Sequence, residues 1–521
     1  MLKMAPIDEC SKAFETILYH SGKFGSYQRR LYVVVCSMHI VCSAVLTYTH
    51  VIPYLVHHEE CTERITAPGN ASIYFRLNNW TVNYPASCRS YYVNDIGLEN
   101  DWVFPQWAYP GHPLDVRKFI YYGKACGLGA GFLLGALLAD YVGRRQTVFS
   151  AFLVMCAAQC LTAISQDPVV FIVCQTLVGF GAGCFIPPSA VLVLEYVGHD
   201  WRDICVCLLP WWLGPSLLSL GGTIFRHWRH LAIISGMAGL PLIGFYFLVF
   251  ESSRWLLCNH KFSEAERVTK EVISCNCKPV PEVTTLFDIA RACVLTTMHK
   301  KKYTYIDLIS TSKLRKATFA AVFTWFPGTV VYGGLLIRLR SIAPTFYLNM
   351  LVVFATDVVV VISAILINKC IGRRWCLFLY AMSSGLISIC ILVLHVTNDV
   401  IEDRMLAWLA YFTKLGVITS LTLLALITME TYPTVIRTMG CAVGFSAGLI
   451  GLLVSDKLII YLEPFHYTMP FLIYGGLMSL VAVGVLGYPE TTKQPLPDIL
   501  RCRHRNVCRH EAVRLPSAWT T

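Results

Sequence analysis

Apolar runs of about twenty residues recur along the chain and limit its fold more than any other feature. Such a run is the length that an α-helix needs to cross the core of a bilayer. Only 14% of the residues are charged, against roughly 25% in a soluble domain. The sequence therefore predicts an all-α membrane protein with twelve spans. Spans 1 to 12 lie near residues 31–51, 119–139, 147–165, 169–194, 204–225, 231–250, 317–337, 346–367, 375–395, 406–429, 439–462 and 468–488.

Basic residues concentrate in three segments, 1–30, 251–316 and 489–521, which twelve crossings place on one side of the membrane. The positive-inside rule assigns that side to the cytoplasm. The net charge of +11 thus orients the chain and favours contact with anionic lipid, and it does not indicate a nucleic-acid partner. The charged N-terminal segment predicts that span 1 is its own insertion signal.

A long polar loop, residues 52–116, separates spans 1 and 2. It contains glycosylation acceptor sequences at Asn70 and Asn79, which are used only on the lumenal side of a membrane. The charge distribution independently places this loop outside, so we expect both sites to carry glycans. Cys61 and Cys88 lie in the same loop, and we expect an extracellular disulfide there. Most of the 22 cysteines lie singly in apolar spans and are expected to pack as small hydrophobic residues.

Three motifs occur twice, with the second copy about 230–240 residues after the first. GALLADYVGRR (135–145) and INKCIGRR (367–374) end spans 2 and 8. EYVGHDWR (195–202) and ETYPTVIR (430–437) end spans 4 and 10. ESSRWLL (251–257) and PETTKQPLP (489–497) follow spans 6 and 12. The repeat predicts two six-helix halves in parallel orientation, 31–250 and 317–488, joined by the linker 251–316.

These motifs resemble the major facilitator superfamily and, within it, the solute carrier 22 family of organic cation, anion and carnitine transporters. The resemblance covers almost the whole chain, and ETYPTVIR is its most discriminating motif. It implies the major facilitator fold, a plasma-membrane location and a monomeric transport unit. It also implies that a small organic ion or zwitterion is carried by alternating access, through facilitated diffusion or exchange. Further matching segments are GKFGSYQ (22–28), DLISTSKLRK (307–316) and METYPTVIRTMG (429–440).

The resemblance implies a cytoplasmic latch that forms when the transporter opens outward. In the first motif, Gly135 permits close helix approach, Asp140 ends span 2 and Gly143 permits a tight turn, while Arg144 and Arg145 stay inside. The alternative is that the arginines only enforce topology. The expected gating residues are Gly135, Asp140, Gly143, Arg144, Arg145, Glu195, Arg202, Arg315, Gly372, Arg373, Arg374, Glu430, Pro433 and Arg437.

Two acid–base pairs and one glycine stripe add to this region. Glu195 precedes Arg202 by seven residues, as Glu430 precedes Arg437, and each pair is expected to be a latch or a structural ion pair. Glycines recur at every fourth position of span 2, where we expect close helix packing. The stripe consists of Gly123, Gly127, Gly131 and Gly135.

Ionisable residues inside spans indicate the solute path, because each costs about 2.5–3.5 kcal/mol on insertion scales. Asp357 and Lys414 occupy positions where the resembled family has an acid and a base facing the central cavity. They either contact the solute or pair with each other. Aromatic side chains attract organic cations, although packing is the alternative role for each of them. The expected solute-binding residues are Asp357, Lys414, Tyr332, Trp325, Phe326, Trp212, Tyr411 and Lys124, with Trp211 as a further candidate.

Several positions depart from the resembled family. Leu449 stands where cation transporters carry an acid and anion or carnitine transporters carry a base. Val361 replaces a lysine, Gln175 replaces an arginine, and Phe250 and Ser253 replace prolines. The charge class of the solute therefore does not carry over. Two alternatives stay open: a sugar-porter-like carrier of a neutral solute, and a receptor or scaffold without transport.

The remaining chemistry is sparse. The Cys/His groups at 57–61 and 502–510 match no zinc signature, and the sequence contains no catalytic triad or nucleotide-binding loop. We therefore expect no enzymatic activity, no cofactor and no metal.

Overall fold

The computed structural model describes ten stretches of the chain, nearly all of them helical. They are residues 7–57, 73–77, 80–84, 116–225, 227–277, 283–297, 302–339, 346–397, 403–462 and 469–498. The predicted glycosylation sites Asn70 and Asn79, the cysteines Cys61 and Cys88, and the segment 502–510 lie outside the described residues. A small antiparallel hairpin in the first loop pairs Ile73–Leu77 with Trp80–Tyr84.

The N-terminal half contains spans 1 to 6, and spans 5 and 6 are each made of two helices. A 3₁₀ turn, Gly244–Leu248, ends span 6. The bounds are Ser26–His57 (span 1), Val116–Tyr141 (span 2), Arg144–Ile164 (span 3), Pro168–Tyr196 (span 4), Arg202–Cys207 with Leu213–Ile224 (span 5), and Trp228–Met237 with Leu240–Ile243 (span 6).

The C-terminal half repeats this arrangement, with a divided span 8. The 3₁₀ turn Thr434–Ile436 precedes span 11. The bounds are Ser312–Arg338 (span 7), Phe346–Ala355 with Asp357–Ile371 (span 8), Arg373–Thr397 (span 9), Asp403–Thr431 (span 10), Arg437–Leu462 (span 11) and Met469–Val485 (span 12).

The helix lengths agree with a membrane setting. Among the described residues, 10 helices are long and apolar enough to cross a bilayer. Two shorter apolar helices, Leu213–Ile224 and Met469–Val485, coincide with the predicted spans 5 and 12. The prediction of twelve spans in an all-α membrane protein is confirmed.

In the described part of the chain, four further α-helices lie outside the spans: Ile7–Ser21, Ser253–Cys258, Phe262–Cys275 and Val283–Thr297. The N-terminal helix buries Phe14 and Ile17 and packs on the last two of the linker helices. Asn276 ties this layer to span 1, because its side chain donates to the Ser21 carbonyl at 2.5 Å and accepts from the Tyr27 N–H at 2.9 Å. The linker and the N-terminal segment thus form one packed layer on the side of the spans that the basic residues predict to be cytoplasmic.

Glycines bring spans 2 and 4 into backbone contact. A Cβ atom added to Gly127 would lie 2.1 Å from the Thr176 carbonyl oxygen, and one on Gly131 would lie 2.3 Å from that of Phe180. From the opposite side, a Cβ atom on Gly183 would lie 2.3 Å from the Leu128 carbonyl oxygen. The expected close helix packing is confirmed, since no side chain fits between these backbones.

A single methyl group tests this contact. We expect Gly131→Ala to lower the free energy of unfolding by about 1–3 kcal/mol, the usual effect of overpacking. The control is Gly476→Ala, because nothing lies within 4 Å of a Cβ atom at Gly476. Thermal midpoints of the purified protein in detergent would measure the difference, and equal midpoints for the two variants would contradict the contact.

Candidate functional site

A tight turn joins spans 2 and 3 at Gly143, whose φ angle is 133°. The carboxylate of Glu251, just after span 6, accepts hydrogen bonds from the backbone N–H groups of Arg144 at 3.0 Å and Arg145 at 3.1 Å. These groups have no partner within the helix that they begin, and an anion is favourable at a helix N-terminus. A Cβ atom on Gly143 would lie 2.3 Å from Glu251 Oε2, so only glycine suits both the backbone angle and the approach of the carboxylate.

The C-terminal half contains the same arrangement of a glycine turn and a capping glutamate. Gly372 has a φ angle of 86°, and Glu490 accepts from the N–H groups of Arg373 at 3.1 Å and Arg374 at 3.2 Å. Burial raises the pKa of the Glu251 carboxyl. At Glu490 burial acts in the same direction, but hydrogen bonds from Thr492 and from the backbone outweigh it and lower the pKa. The two sequence copies are thus structurally equivalent helix caps.

The acid of each EYVGHDWR-type motif faces the arginine of the other copy. Glu195 Oε1 lies 2.8 Å from Arg437 Nη1, and Glu430 Oε1 lies 3.8 Å from Arg202 Nη1. In the described part of the chain neither acid pairs with the arginine seven residues after it, so the expected pairing within each motif is wrong. Each acid ends one helix and each arginine begins the next, which turns the arginine toward the other half.

Arg144 extends this contact between the halves. Its Nη2 atom lies 3.0 Å from Asp140 Oδ1 and 3.5 Å from Glu195 Oε1, and it donates to the Thr434 carbonyl at 2.6 Å. Asp140 Oδ2 in turn accepts from the Met439 N–H at 3.2 Å. Thr434 and Met439 belong to the C-terminal half, so the first Gly-Arg-Arg motif holds the two halves together directly.

Arg373 makes the corresponding contact from the C-terminal half. It pairs with Glu430, and its Nε atom donates to Asp203 Oδ1 at 2.8 Å. The other oxygen of Asp203 accepts from Asn368 Nδ2 at 2.8 Å. Sequence reasoning missed Asp203, although an acid directly after the motif residue Arg202 was an available signal.

The N-terminal helix and the C-terminal segment complete the network. Glu15 pairs with Arg202 at 2.9 Å and with Arg254 at 2.6 Å. Arg254 also pairs with Asp498 at 2.9 Å, and Asp498 accepts from Thr434 Oγ1 at 2.6 Å. Although burial by itself raises the pKa of Glu15, Arg254 and Arg202 bring it below its ordinary value. Sequence reasoning missed Glu15, Arg254 and Asp498, because no local motif relates three such distant segments.

These contacts form a single cluster of buried charges, which we call the cytoplasmic network after the side of the membrane that the basic segments predict for it. Its arginines are Arg144, Arg202, Arg254, Arg373 and Arg437, all almost fully buried. An unpaired buried charge is strongly unfavourable, and removing one partner of a buried pair costs about 3–5 kcal/mol. The network therefore holds the cytoplasmic ends of the two halves together in this structure.

The other expected gating residues take separate positions. Arg145 donates to the Tyr246 carbonyl at 2.7 Å, and Arg374 donates to the Tyr488 carbonyl at 3.4 Å. A Cβ atom on Gly135 would lie 2.4 Å from Cys184 Cα, which indicates helix packing. Pro433 precedes the turn before span 11. Arg315 is exposed at the start of span 7 and contributes none of the ion pairs described above.

A buried ion pair at the expected solute path connects span 10 with the divided span 8 in the C-terminal half. Lys414 Nζ of span 10 contacts Asp357 Oδ1 of span 8 and also donates to the Val353 carbonyl at 2.6 Å. Both side chains are buried. Half-buried Tyr332 of span 7 lies within electrostatic range of Asp357. The pairing that sequence left as one alternative is thus present in this structure.

Tyr411 and Trp325 form hydrogen bonds with side chains of neighbouring helices. The Tyr411 hydroxyl contacts Thr356 Oγ1. Trp325 Nε1 lies 3.3 Å from Thr428 Oγ1, and its ring packs on Gly444 of span 11, where an added Cβ atom would lie 2.8 Å away.

Lys124 is engaged with span 1, where it donates to the carbonyl groups of Val45 at 3.0 Å and Leu46 at 2.9 Å. Phe326 and Trp212 are half-buried, and the Trp211 ring lies 5.1 Å from that of His39.

Uncharged side chains at the positions that depart from the resembled family contact other uncharged groups. Leu449 packs against span 2, with its Cδ2 atom 3.2 Å from where a Cβ atom on Gly129 would lie. Gln175 Nε2 donates to Thr162 Oγ1 at 3.0 Å and to Gln159 Oε1 at 3.3 Å. These sites carry amide, hydroxyl and aliphatic groups where the resembled family carries charge.

Comparison with known proteins gives one family and several relatives. Residues 125–501 match the family described as "Sugar (and other) transporter". The chain is 26% identical to human "Organic cation/carnitine transporter 2" over 78% of this chain and 70% of that protein. It is 28% identical to mouse "Solute carrier family 22 member 7", over 71% of this chain and 69% of that protein. It is 24% identical to human "Solute carrier family 22 member 2", over 93% of this chain and 94% of that protein.

Solved structures show the same fold. The proton:xylose symporter XylE, bound to 6-bromo-6-deoxy-D-glucose, superposes with a TM-score of 0.64 at 15% identity, covering 91% of this chain and 98% of that one. The inward-open conformation of XylE from E. coli superposes with a TM-score of 0.58 at 14% identity, covering 90% of this chain and 98% of that one. The predicted major facilitator fold is confirmed.

A double-mutant cycle tests the exchange of partners in the cytoplasmic network. We expect Glu195→Gln and Arg437→Gln to show a coupling energy of about 1–3 kcal/mol in the free energy of unfolding, as contacting residues do. The matched cycle pairs Glu195→Gln with Arg202→Gln, which do not contact each other, and should give a smaller coupling. Thermal midpoints of the single and double variants supply both values. A larger coupling in the second cycle would contradict the pairing across the halves.

Proposed function

Since this chain belongs to the Sugar (and other) transporter family and is a multi-pass membrane transporter of small solutes, we propose that it carries a small organic ion or zwitterion by alternating access. Transport is by facilitated diffusion or exchange, the plasma membrane is its location, and one chain is the transport unit. The proposal includes no enzymatic activity, because the relatives are named as transporters and solute carriers.

The exchange of acid and base between the halves is the observation that carries this proposal. Glu195 pairs with Arg437, and Glu430 lies beside Arg202, so each half supplies an acid to an arginine of the other half in addition to its internal pairs. When the halves rock apart, water enters and solvates the separated charges, which lowers the cost of breaking buried pairs. Contacts of this type support a gate that closes the cytoplasmic side in one state and opens it in another.

The central residues support a solute that carries balanced or compensated charge. Asp357 and Lys414 neutralise each other, while Leu449, Val361 and Gln175 add no charge. A zwitterion can replace each half of the ion pair with one of its own groups. An organic cation or anion can instead compete for one partner. The name of the relative "Organic cation/carnitine transporter 2" includes both a cationic and a zwitterionic solute, which agrees with this proposal.

Roles for the other expected site residues follow from their contacts. Tyr332, Phe326 and Trp212 are proposed to line the solute path, since they are aromatic and half-buried. Lys124, Trp325 and Tyr411 have their polar atoms bound to neighbouring helices. A structural role is therefore proposed for these three.

Uptake measurements test the proposed function. Oocytes expressing the full chain are expected to accumulate at least one radiolabelled organic cation, anion or zwitterion saturably, with uninjected oocytes as the control. Excess unlabelled D-glucose is expected to leave this uptake unchanged. Competition by glucose would favour the sugar carrier. Absence of saturable uptake of the whole panel, with surface expression confirmed by biotinylation, would favour a receptor or scaffold.

Neutral substitutions of the central pair test the proposed site. Lys414→Met alone leaves Asp357 buried without its partner, so we expect a loss of about 3–5 kcal/mol in the free energy of unfolding. The double variant Asp357→Asn with Lys414→Met should recover most of that stability and yet lose saturable uptake. Uptake by the double variant at the wild-type level, normalised to surface expression, would remove the pair from the solute path and leave the transporter class intact.

A further inference from the structure

A short linker segment, Lys302–Ile309, lies along the outer surface of span 2. The Tyr305 hydroxyl donates to the Leu133 carbonyl at 2.6 Å, and the Tyr141 hydroxyl donates to the Tyr303 carbonyl at 2.6 Å. The same face of span 2 exposes the large apolar side chains of Leu134 and Leu138, as a lipid-facing helix does. The segment therefore follows the membrane surface of span 2 within the cytoplasmic leaflet.

The other side of this segment contacts span 7. Leu308 is buried, and its carbonyl accepts from Thr318 Oγ1 at 3.2 Å. The 3₁₀ turn Tyr305–Ile309 thus bridges the N-terminal half, through span 2, and the C-terminal half, through span 7. A ligand held on this segment therefore contacts the part of the chain that bridges the two halves at the seam between them.

Apolar side chains project outward from this seam. Ile306 is 75% exposed, Ile309 is 53% exposed, and Phe319 in the second turn of span 7 is 71% exposed. Phe319 also stacks on Phe323 one turn further into the span, with 5.9 Å between ring centroids. Exposed apolar groups of this size at the cytoplasmic end of a span are suited to lipid chains.

Cations accompany these apolar side chains on the cytoplasmic side. Arg315 is exposed one helical turn before Phe319, and Lys313 and Lys316 are exposed beside it. Lys302 Nζ lies 6.0 Å from the centre of the Tyr141 ring. The charge of the surface is therefore strongly positive.

One acid, Asp307, lies in the same segment. Its carboxylate accepts from the Thr304 N–H at 2.8 Å and so caps the 3₁₀ turn. Asp307 reduces the positive charge by one unit and serves the local structure. Four exposed cations still outnumber it.

We propose that this seam surface, formed by Lys302, Ile306, Ile309, Arg315 and Phe319, binds an anionic phospholipid of the cytoplasmic leaflet. Lys302 and Arg315 contact the headgroup, and the apolar side chains contact the acyl chains. The two features belong together, because cations attract the negative leaflet while apolar side chains enter its hydrocarbon boundary. The lipid holds the linker segment that bridges spans 2 and 7 and so stabilises the arrangement in which the cytoplasmic network is formed. This inference does not depend on the solute.

Lipid titration of the purified full chain in detergent tests the proposal. We expect short-chain dioctanoyl phosphatidylserine to raise the thermal midpoint at lower concentration than dioctanoyl phosphatidylcholine does. The variant Lys302→Gln with Arg315→Gln should need about 25-fold more phosphatidylserine, since each cation near an anionic surface contributes about a factor of five. Ile306→Ser with Ile309→Ser should also weaken the shift, through the apolar part of the contact.

The control is Lys12→Gln with Arg267→Gln, which removes two exposed cations of the cytoplasmic layer and should respond to phosphatidylserine as the wild type does. All variants should share the lipid-free midpoint, which shows that they are folded. An equal response of Lys302→Gln/Arg315→Gln and the control would overturn the proposal. So would an equal shift with the soluble headgroup glycerophosphoserine, because a lipid site requires the acyl chains.

Discussion

Buried arginines at the ends of the spans require anionic partners, and in this protein Arg202, Arg373 and Arg437 each take one of those partners from the opposite half. Burying a guanidinium without such a partner would cost several kcal/mol, so the position of one half depends on that of the other. Arg437 pairs with Glu195, and Arg373 pairs with Asp203. Arg144 donates a hydrogen bond to the Thr434 carbonyl. The contact between the halves is thus a requirement of charge burial, and each half supplies what the other lacks.

The duplicated turns hold these arginines in position. Glu251 and Glu490 cap the helices that begin at Arg144 and Arg373, and Gly143 and Gly372 supply the backbone angles that allow the carboxylates to approach. The caps are internal to each half and remain intact if the halves separate. A transporter of this kind therefore combines permanent contacts within a half with polar contacts between halves that water can replace.

The network also reaches segments beyond the twelve spans. Glu15 of the N-terminal helix and Asp498 of the C-terminal segment share Arg254, and Glu15 also pairs with Arg202. On the lipid side, the linker segment around Tyr305 lies in the seam between spans 2 and 7. The two terminal segments and the linker are accordingly part of the contact between the halves.

Local patterns in the sequence were sufficient for much of this structure. Apolar runs determine the spans, glycines at every fourth position determine the contact of span 2 with span 4, and the repeat determines two halves, while the orientation that the basic segments indicate stays a prediction. Each of these depends on residues that are neighbours along one helix or copies of one motif.

Partners across the molecule were decided only by the tertiary structure. Glu195 lies seven residues from Arg202 and yet pairs with Arg437, because the chain leaves one helix and enters another between them. Glu15, Arg254 and Asp498 meet although hundreds of residues separate them, and Lys124 bonds to span 1 carbonyl groups that no side-chain pattern marks. Helical periodicity specifies which face of a span a residue occupies, whereas the packing of distant spans specifies what that face meets.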